Sequence, residues 1–251
     1  HFPAVDIIYN MASPASPIQY KKHPLETMKT NSIGVMRLLD YMKVSGSKVF
    51  VQSSTSEVYG DPLVHPQKET YWGNVNTLGP RSCYDEGKRF AETLIMNYFH
   101  TYNLDVRLAR IFNTYGPNME KNDGRVVSNF IMQSLTKQPI TIYGEGEQTR
   151  SFCYVSDMVN GLYKLAATPN LAGEVINVGN PDERTINELA GLIKEMTGTP
   201  SEIIHQPIDA DDPCRRKPDI SKAKELLDWE PKVSLRDGLE KAIVYFKERF
   251  L

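Results

Sequence analysis

The sequence predicts an α/β protein built on a doubly wound parallel sheet. Short apolar segments, such as residues 5–9 and 48–52, alternate with longer amphipathic segments, such as residues 84–102. Strands that alternate with helices in this way pair in parallel and carry helices on both faces of the sheet. A chain of 251 residues is long enough for one or two domains with sizeable cores.

Each predicted element has its own local signal. Strands are predicted where apolar and β-branched residues form short runs, at residues 5–9, 48–52, 105–110, 140–143 and 174–179. Helices are predicted where apolar residues recur at helical spacing, at residues 26–45, 84–102, 126–136, 186–197 and 235–248. Gly46 ends the first helix, because glycine readily adopts the left-handed conformation that follows a helix. Between residues 61 and 80, prolines and glycines predict a long loop of the kind that lines binding sites.

The composition argues against several classes of protein. The 29 basic and 31 acidic residues leave a formal charge of -2, which argues against a broad nucleic-acid-binding surface. No apolar run in the sequence approaches the ~18 residues that a membrane-spanning helix needs. Cys83, Cys153 and Cys214 lack the spacing of a metal site, and no cluster of His, Cys and Asp suggests a metal. A reducing compartment is the simplest interpretation of three cysteines that cannot all pair.

Tyr84 and Lys88 form the most informative pair in the chain. Residues at i and i+4 lie on one face of a helix, and an ammonium beside a phenol favours the phenolate. We therefore expect Lys88 to lower the pKa of Tyr84 towards neutrality, so that Tyr84 can take a proton from a hydroxyl group. The polar run at residues 52–60 follows a predicted strand and places hydroxyls and a carboxylate at its carboxyl end. Open α/β sheets bind their ligands at that end.

Together these motifs resemble the extended short-chain dehydrogenases/reductases that act on nucleotide sugars, and most nearly the UDP-glucuronate decarboxylase family. The matching stretches follow one another along almost the whole chain, at residues 14–17, 29–31, 54–61, 83–88, 110–117, 122–130 and 216–219. The resemblance implies a Rossmann-like NAD-binding domain and a smaller α/β domain for the substrate. It assigns residues 1–116 and 155–182 to the first domain, and residues 117–154 and 183–251 to the second.

The resemblance also implies roles for individual residues. Tyr84 is the general base, Lys88 its electrostatic partner and a ribose contact, and Thr55 the partner of the reacting hydroxyl. The implied catalytic residues are Tyr84, Lys88, Thr55, Glu57, Ser56 and Arg216. The positions implied to contact NAD are Ala12, Thr30, Tyr84, Lys88, Thr114 and Arg125. The positions implied to contact the UDP-sugar are Lys29, Ala15, Ser16, Asn113, Val127, Ser128, Tyr143, Arg150 and Arg216.

Ser56 and Glu57 discriminate between the reactions of such enzymes. Similar nucleotide-sugar 4,6-dehydratases carry an Asp-Glu pair here, because loss of water needs an acid at the C6 hydroxyl of the sugar. Ser56 stands in the place of that acid, and a substrate carboxylate disfavours a second anion nearby. The sequence therefore favours decarboxylation of UDP-glucuronate to UDP-xylose through a 4-keto intermediate, with the hydride returned by bound NAD. The alternatives are a 4,6-dehydratase or 4-epimerase of the same fold, or a non-catalytic nucleotide-sugar binding protein.

One motif that the resemblance implies does not occur in the sequence. The family opens on a strand, a Gly-rich loop and a helix that bind the pyrophosphate of NAD, and neither G-x-G-x-x-G nor G-x-x-G-x-x-G is present. We expect these residues to be a truncated part of a complete enzyme, since residues 5–9 would otherwise form a central strand without an inner neighbour.

The resemblance further implies a homodimer that packs helices near residues 26–45 and 83–102 of each subunit together. We expect no nucleic-acid partner. The expected compartment is the cytoplasm, and the Golgi lumen is the alternative if an unseen N-terminal anchor exists.

Overall fold

The computed structural model describes residues 4–207 and 211–251, which fold around a parallel sheet of four strands. In chain order the strands are β1 (Ile7–Asn10), β2 (Val49–Thr55), β3 (Val106–Ile111), β4 (Thr114–Tyr115), β5 (Ile140–Tyr143), β6 (Thr149–Ser151), β7 (Cys153–Tyr154), β8 (Val175–Val178), β9 (Glu183–Thr185), β10 (Ile203–Gln206) and β11 (Arg215–Arg216). The helices are α1 (Pro17–Lys22), α2 (Pro24–Lys29), α3 (Val35–Ser45), α4 (Ser82–Tyr102), α5 (Val126–Leu135), α6 (Val155–Ala167), α7 (Ile186–Thr197), α8 (Ser221–Leu227) and α9 (Leu235–Phe250). Within these residues, none of the helices combines the length and the apolar character that crossing a bilayer requires.

The main sheet has the order β1-β2-β3-β8, and all of its neighbouring strands are parallel. Successive side chains of a strand point to opposite faces of the sheet. Phe50 of β2 packs in an apolar cluster with residues of α3 and α4, whereas Val51 packs in a cluster with residues of α6 and α8. Helices therefore cover both faces, and the predicted doubly wound parallel sheet is confirmed.

A second apolar cluster is built by α5, α7 and α9 rather than by the main sheet. Ile131, Leu189 and Leu239 are fully buried in it. Smaller sheets accompany it, in which β10 pairs with β5, and β6 pairs with both β11 and β9. These elements belong to the predicted substrate domain. The predicted boundary at residue 183 also assigns α8 to that domain, but Ala223 and Trp229 pack in the cluster that covers the main sheet.

The helix predicted over residues 26–45 is interrupted by a π-helical segment, Thr30–Gly34, between α2 and α3. The side chains of Thr30, Asn31 and Ser32 each donate a hydrogen bond to the carbonyl four residues earlier, at 2.8, 2.9 and 2.6 Å. Such bonds compete with the backbone ladder of a helix and accompany local bends. The amide of Asn31 also donates to Ser13 Oγ at 2.9 Å, which ties this segment to the loop after β1.

Three helices of the fold, α1, α6 and α8, are absent from the sequence predictions. α6 follows Tyr154, which offers no side-chain cap, and it contains Gly161, a residue that weakens the helical signal. Packing requires this glycine, because a Cβ at Gly161 would lie 2.7 Å from Val178 Cγ1 and 3.0 Å from Trp229 Cε2. Because the reason for Gly161 lies in this tertiary contact, the sequence alone does not predict α6.

Gly238→Ala in α9 is expected to destabilise the fold. A Cβ at Gly238 would lie 2.1 Å from the hydroxyl oxygen of Tyr115, a buried residue that donates to the carbonyl of Leu235 at 3.1 Å. We expect overpacking to lower the free energy of unfolding by about 1–3 kcal/mol, measured by chemical denaturation of the intact protein.

Gly191→Ala in α7 is the matched control for Gly238→Ala. No atom of the described residues beyond the helix's own backbone lies within 4 Å of a Cβ built at Gly191. This variant is expected to be neutral, or stabilised by up to about 1 kcal/mol through helix propensity. If the Gly238→Ala protein were as stable as this control, the packing of α9 on Tyr115 would be contradicted.

Candidate active site

A cavity of about 510 Å³ opens at the carboxyl ends of β2 and β3. Thr55 is the last residue of β2, while Asn113 and Thr114 follow β3, and all three line the cavity. α4 contributes Tyr84 and Lys88 to the wall. The carboxyl edge of an open parallel sheet is the usual position for a ligand in such folds.

Most of the site residues implied by the sequence come together in this cavity. Those that line it are Thr55, Ser56, Glu57, Tyr84, Lys88, Arg216, Thr114, Arg125, Ala15, Asn113, Val127, Tyr143 and Arg150. Those that do not line it are Ala12, Ser16, Lys29, Thr30 and Ser128. The hydroxyl of Ser16 caps α1 by accepting from Gln19 N, and the hydroxyl of Ser128 donates to Arg125 O at 2.9 Å. These two hydroxyls therefore serve local structure.

Tyr84 and Lys88 lie on the same side of α4, as their i, i+4 spacing predicts. Both side chains are buried, and the ring of Tyr84 stacks on Tyr20 with 5.0 Å between the centroids and 10° between the planes. Lys88 Nζ lies 5.8 Å from the centroid of the Tyr84 ring and donates a 2.7 Å hydrogen bond to Ser53 O. The hydroxyl of Thr55 lies close enough to Tyr84 to influence the pKa of the phenol. The phenol is thus held between a stacked ring and the carboxyl end of β2.

The electrostatics of Tyr84 differ from the sequence expectation. Burial raises the pKa of Tyr84 above its ordinary value, although the neighbouring hydroxyl of Thr55 acts to lower it. Burial also lowers the pKa of Lys88 to about 8, against the opposing effect of Glu92. The expectation of a lowered pKa for Tyr84 is therefore wrong for the chain alone. The physical reason is that desolvation of the buried phenol outweighs the lowering effects of Thr55 and of the positive charge of Arg125.

Glu57 is held between two arginines. The guanidinium of Arg216 donates to both carboxylate oxygens of Glu57, at 2.8 and 2.7 Å, and Arg81 Nη2 lies 2.8 Å from Glu57 Oε1. Burial alone would raise the pKa of Glu57, but Arg216 and then Arg81 lower it to about 2. Glu57 is therefore ionised at neutral pH and acts in this site as an anion rather than as a proton donor.

Arg150 is paired with Asp212, which also lines the cavity. Arg150 Nη2 lies 2.8 Å from Asp212 Oδ2, and Arg81 Nη1 lies 3.4 Å from Asp212 Oδ1. The other terminal nitrogen of Arg150 donates to Thr149 O at 2.9 Å. Burial lowers the pKa of Arg150 to about 10, and Asp212 opposes this shift. Arg81 thus bridges the carboxylates of Glu57 and Asp212, and its Nε lies 4.0 Å from Asp85 Oδ2.

Arg81 and Asp212 are residues of the cavity that sequence reasoning missed. Arg81 precedes Tyr84 by three residues and Lys88 by seven, so the helical spacing that identifies the pair could have identified Arg81 as well. Asp212 carries no such signal, because it belongs to a segment far along the chain that only the fold brings to the arginines.

The arrangement supports two kinds of chemistry. Arg81, Arg150 and Arg216 present guanidinium groups that suit carboxylate or phosphate oxygens. Tyr84, with Thr55 and Lys88 beside it, can exchange a proton with a hydroxyl group. In residues 4–207 and 211–251, no group of His, Cys, Asp and Glu side chains is arranged to hold a metal ion.

Comparison with known proteins supports the resemblance seen in the motifs. A family model described as GDP-mannose 4,6 dehydratase matches residues 3–242. UDP-glucuronic acid decarboxylase 1 from Arabidopsis thaliana is 56% identical over 247 residues, which cover 98% of this chain and 56% of that protein. UDP-glucuronic acid decarboxylase 3 from the same plant is 57% identical over 235 residues, which cover 94% of this chain and 68% of that protein. The chain therefore spans little more than half the length of the first of these relatives.

The fold is also similar to that of solved structures. UDP-glucuronic acid 4-epimerase from Bacillus cereus, in complex with UDP-glucuronic acid and NAD, matches with a TM-score of 0.90 and 29% identity. The match covers 98% of this chain and 76% of the epimerase chain. Fold, family model and relatives agree, and the resemblance inferred from the motifs is confirmed. The chain belongs to the extended short-chain dehydrogenase/reductase family that the GDP-mannose 4,6 dehydratase model describes, and within it to the group of the UDP-glucuronic acid decarboxylases.

Proposed function

We propose that this chain carries the catalytic residues of an NAD-dependent decarboxylase that converts UDP-glucuronate to UDP-xylose. The observation that carries the proposal is a single cavity in which Tyr84, Thr55 and Lys88 lie with the ion pair of Glu57 and Arg216. The two Arabidopsis relatives named UDP-glucuronic acid decarboxylase, at 56% and 57% identity, support it. Because the chain spans 56% of the length of the first relative, we propose the activity for the intact protein.

The cavity suits a nicotinamide dinucleotide next to Lys88. The Lys88 side chain is buried and, among the described residues, donates to Ser53 O, which leaves further N–H donors for the hydroxyls of a ribose. Thr114 and Arg125 line the same cavity, and we assign them to the cofactor together with Ala12 and Thr30 on the resemblance. When bound, NAD would supply a hydride acceptor and donor for C4 of the sugar.

Tyr84 serves in this proposal as the general base. Its oxygen takes the proton of the 4-hydroxyl of the sugar, while Thr55 orients that hydroxyl through a hydrogen bond. Lys88 stabilises the phenolate by its positive charge, and a pKa of about 8 leaves Lys88 largely protonated at pH 7. Since burial raises the pKa of Tyr84, this charge is needed for the proton transfer.

Oxidation at C4 turns the uronic acid into a β-keto acid. The bond between C5 and the carboxylate then breaks, carbon dioxide leaves, and its bonding electrons pass to the C4 carbonyl oxygen. C5 takes a proton, and reduction at C4 with return of the Tyr84 proton to O4 completes UDP-xylose. Arg216 pairs with the substrate carboxylate before it leaves. Glu57 is ionised, so it positions a water molecule near C5 instead of donating the proton itself.

A 4-epimerase or a 4,6-dehydratase is the second candidate. The structural similarity to the Bacillus cereus UDP-glucuronic acid 4-epimerase favours the first of these. Ser56 at the place of the acid disfavours the dehydratase. Incubation of the intact protein with UDP-glucuronate and NAD separates the candidates, because only the decarboxylase releases carbon dioxide and a nucleotide pentose.

We further propose that the intact protein is a homodimer formed through α2, α3 and α4. Apolar side chains are exposed along these helices, and Leu25, Met28 and Phe90 are 64%, 48% and 52% exposed. Ile33, in the π-helical segment, is also exposed. Exposed apolar side chains on neighbouring helices suit an interaction surface, and symmetric dimers are the most common assemblies.

A cytoplasmic location belongs to the same proposal. Cys83, Cys153 and Cys214 are free thiols, and Cys214 is exposed, which suits a reducing compartment. The Golgi lumen is the alternative, and localisation of the tagged intact protein distinguishes the two.

Tyr84→Phe is expected to lower turnover of UDP-glucuronate by about 10²–10⁴-fold, the usual loss when a general base is removed. Binding of UDP should be retained. Turnover is measured as carbon dioxide release and as nucleotide pentose formed by the intact protein.

Tyr20→Phe is the matched control for Tyr84→Phe. Tyr20 stacks on Tyr84, and its hydroxyl has no hydrogen-bond partner among the described residues, so this variant keeps the stacking and should keep turnover. Near-normal turnover of the Tyr84→Phe protein would refute the role given to Tyr84.

Arg216→Ala is expected to lower kcat/KM for UDP-glucuronate by about 10–100-fold, which corresponds to loss of a charge-assisted hydrogen bond. The substitution removes the proposed partner of the sugar carboxylate and leaves Glu57 with Arg81. Arg215→Ala, an exposed neighbour of the same charge, is the control and should retain kcat/KM. Equal losses of kcat/KM in the two variants would indicate a general charge effect and would contradict the assignment of Arg216 to the site.

A further inference from the structure

The arginines around the cavity are paired with carboxylates of the chain itself. Arg81, Arg150 and Arg216 line the cavity and are each 5% exposed. Glu57 and Asp212 lie against them at hydrogen-bonding or ion-pair distance. Buried cations require partners of opposite charge, because water no longer compensates them.

The two carboxylates are held to different degrees. The side chain of Glu57 is 13% exposed and contacts Arg216 and Arg81 at 2.7 and 2.8 Å. The side chain of Asp212 is 27% exposed and contacts Arg150 at 2.8 Å but Arg81 only at 3.4 Å, beyond the usual range for a hydrogen bond. Asp212 is therefore the more weakly held anion.

Asp212 can leave the arginines while its backbone stays in place. On one side, the two carboxylate oxygens of Asp211 lie 3.2 and 3.1 Å from Asn76 Nδ2. On the other side, the backbone N–H of Cys214 donates to Asp61 Oδ1 at 2.9 Å. With both flanks anchored, rotation of the Asp212 side chain between staggered rotamers is enough to free Arg150 and Arg81.

We propose that Asp212 is a placeholder anion, which neutralises Arg150 and Arg81 until the diphosphate of a nucleotide sugar takes its place. This inference rests on the proposed function and adds to it a residue that determines charge selectivity. The guanidinium of Arg150 offers the planar pair of donors that suits phosphate oxygens.

The charge balance of the loaded cavity supports displacement of Asp212. A diphosphate and a sugar carboxylate, added to Glu57 and Asp212, would bring more anionic groups against Arg81, Arg150 and Arg216 than these three side chains can pair. Like charges repel strongly where water is excluded. Asp212 withdraws rather than Glu57, because it is more exposed and makes the longer contacts.

Displacement has a consequence for binding. The affinity measured for a diphosphate is reduced by the fraction of molecules in which Asp212 still occupies the arginines. Removal of the Asp212 charge should therefore tighten the binding of UDP. Uridine carries no phosphate and does not compete for the arginines, so its binding should stay unchanged.

The test is calorimetric titration of the intact protein with UDP and with uridine. Asp212→Asn keeps the shape of the side chain and removes its charge, and Asp211→Asn is the matched control, which removes the same charge next to the arginine contacts. We expect Asp212→Asn to bind UDP about three- to tenfold more tightly than the wild type. Asp211→Asn should bind UDP like the wild type, and uridine should bind all three proteins alike. Asp212→Ser provides the same comparison if Asp212→Asn does not fold.

Each contrary outcome has a distinct meaning. Weaker or unchanged UDP binding by Asp212→Asn would show that Asp212 orients Arg150 for the ligand or takes no part, and either result overturns the placeholder role. An equal gain in UDP affinity for Asp211→Asn would show that the loss of net charge, rather than the position of Asp212, causes the effect. That result would also overturn the placeholder role. If the wild type binds no UDP, the proposed function fails together with this inference.

Discussion

The buried carboxylate of Glu57 is the constraint on which the site depends. A carboxylate in this position is stable only with cationic partners, and removal of one partner from a buried pair is strongly destabilising. Its partners come from distant parts of the chain, since Arg81 directly precedes α4 and Arg216 lies 159 residues beyond Glu57 in β11. The ion pairs thus join the end of a main-sheet strand, the start of a helix and a strand of the smaller sheets.

The cavity combines two regions with different chemistry. Around Glu57 the guanidinium groups of Arg81 and Arg216 create a region suited to anions. Around Tyr84 lie Thr55 and Lys88, and burial keeps the phenol protonated in the chain alone. A ligand with an acidic group and a neighbouring hydroxyl satisfies both regions at once, which is the property of a uronic acid that the proposed function uses.

Core packing determines how α4 presents its functional side chains. Tyr84, Lys88, Ala91 and Ile95 follow one another on one buried stripe of this helix. Ala91 and Ile95 are completely buried in the cluster that covers the main sheet. Because these two residues set the rotation of the helix about its axis, Tyr84 and Lys88 face the ends of the strands. The functional pair Tyr84 and Lys88 is therefore positioned by the packing of Ala91 and Ile95, which lie one and two helical turns beyond Lys88.

Local pattern was sufficient for the fold class, the long elements and the position of the Tyr84 helix, because hydrophobic periodicity and turn residues act over short stretches of chain. It also indicated that the hydroxyls after β2 lie at the ligand-binding end of the sheet, whereas only the family resemblance placed Thr55 together with Tyr84. α6 was not predictable, because its Gly161 makes sense only against Val178 and Trp229. The pKa of Tyr84, the arginine clamp on Glu57 and the contact of Asp212 were decided by the tertiary structure alone. Each of these depends on burial and on charges that lie far apart in the chain, and neither quantity can be read from neighbouring residues.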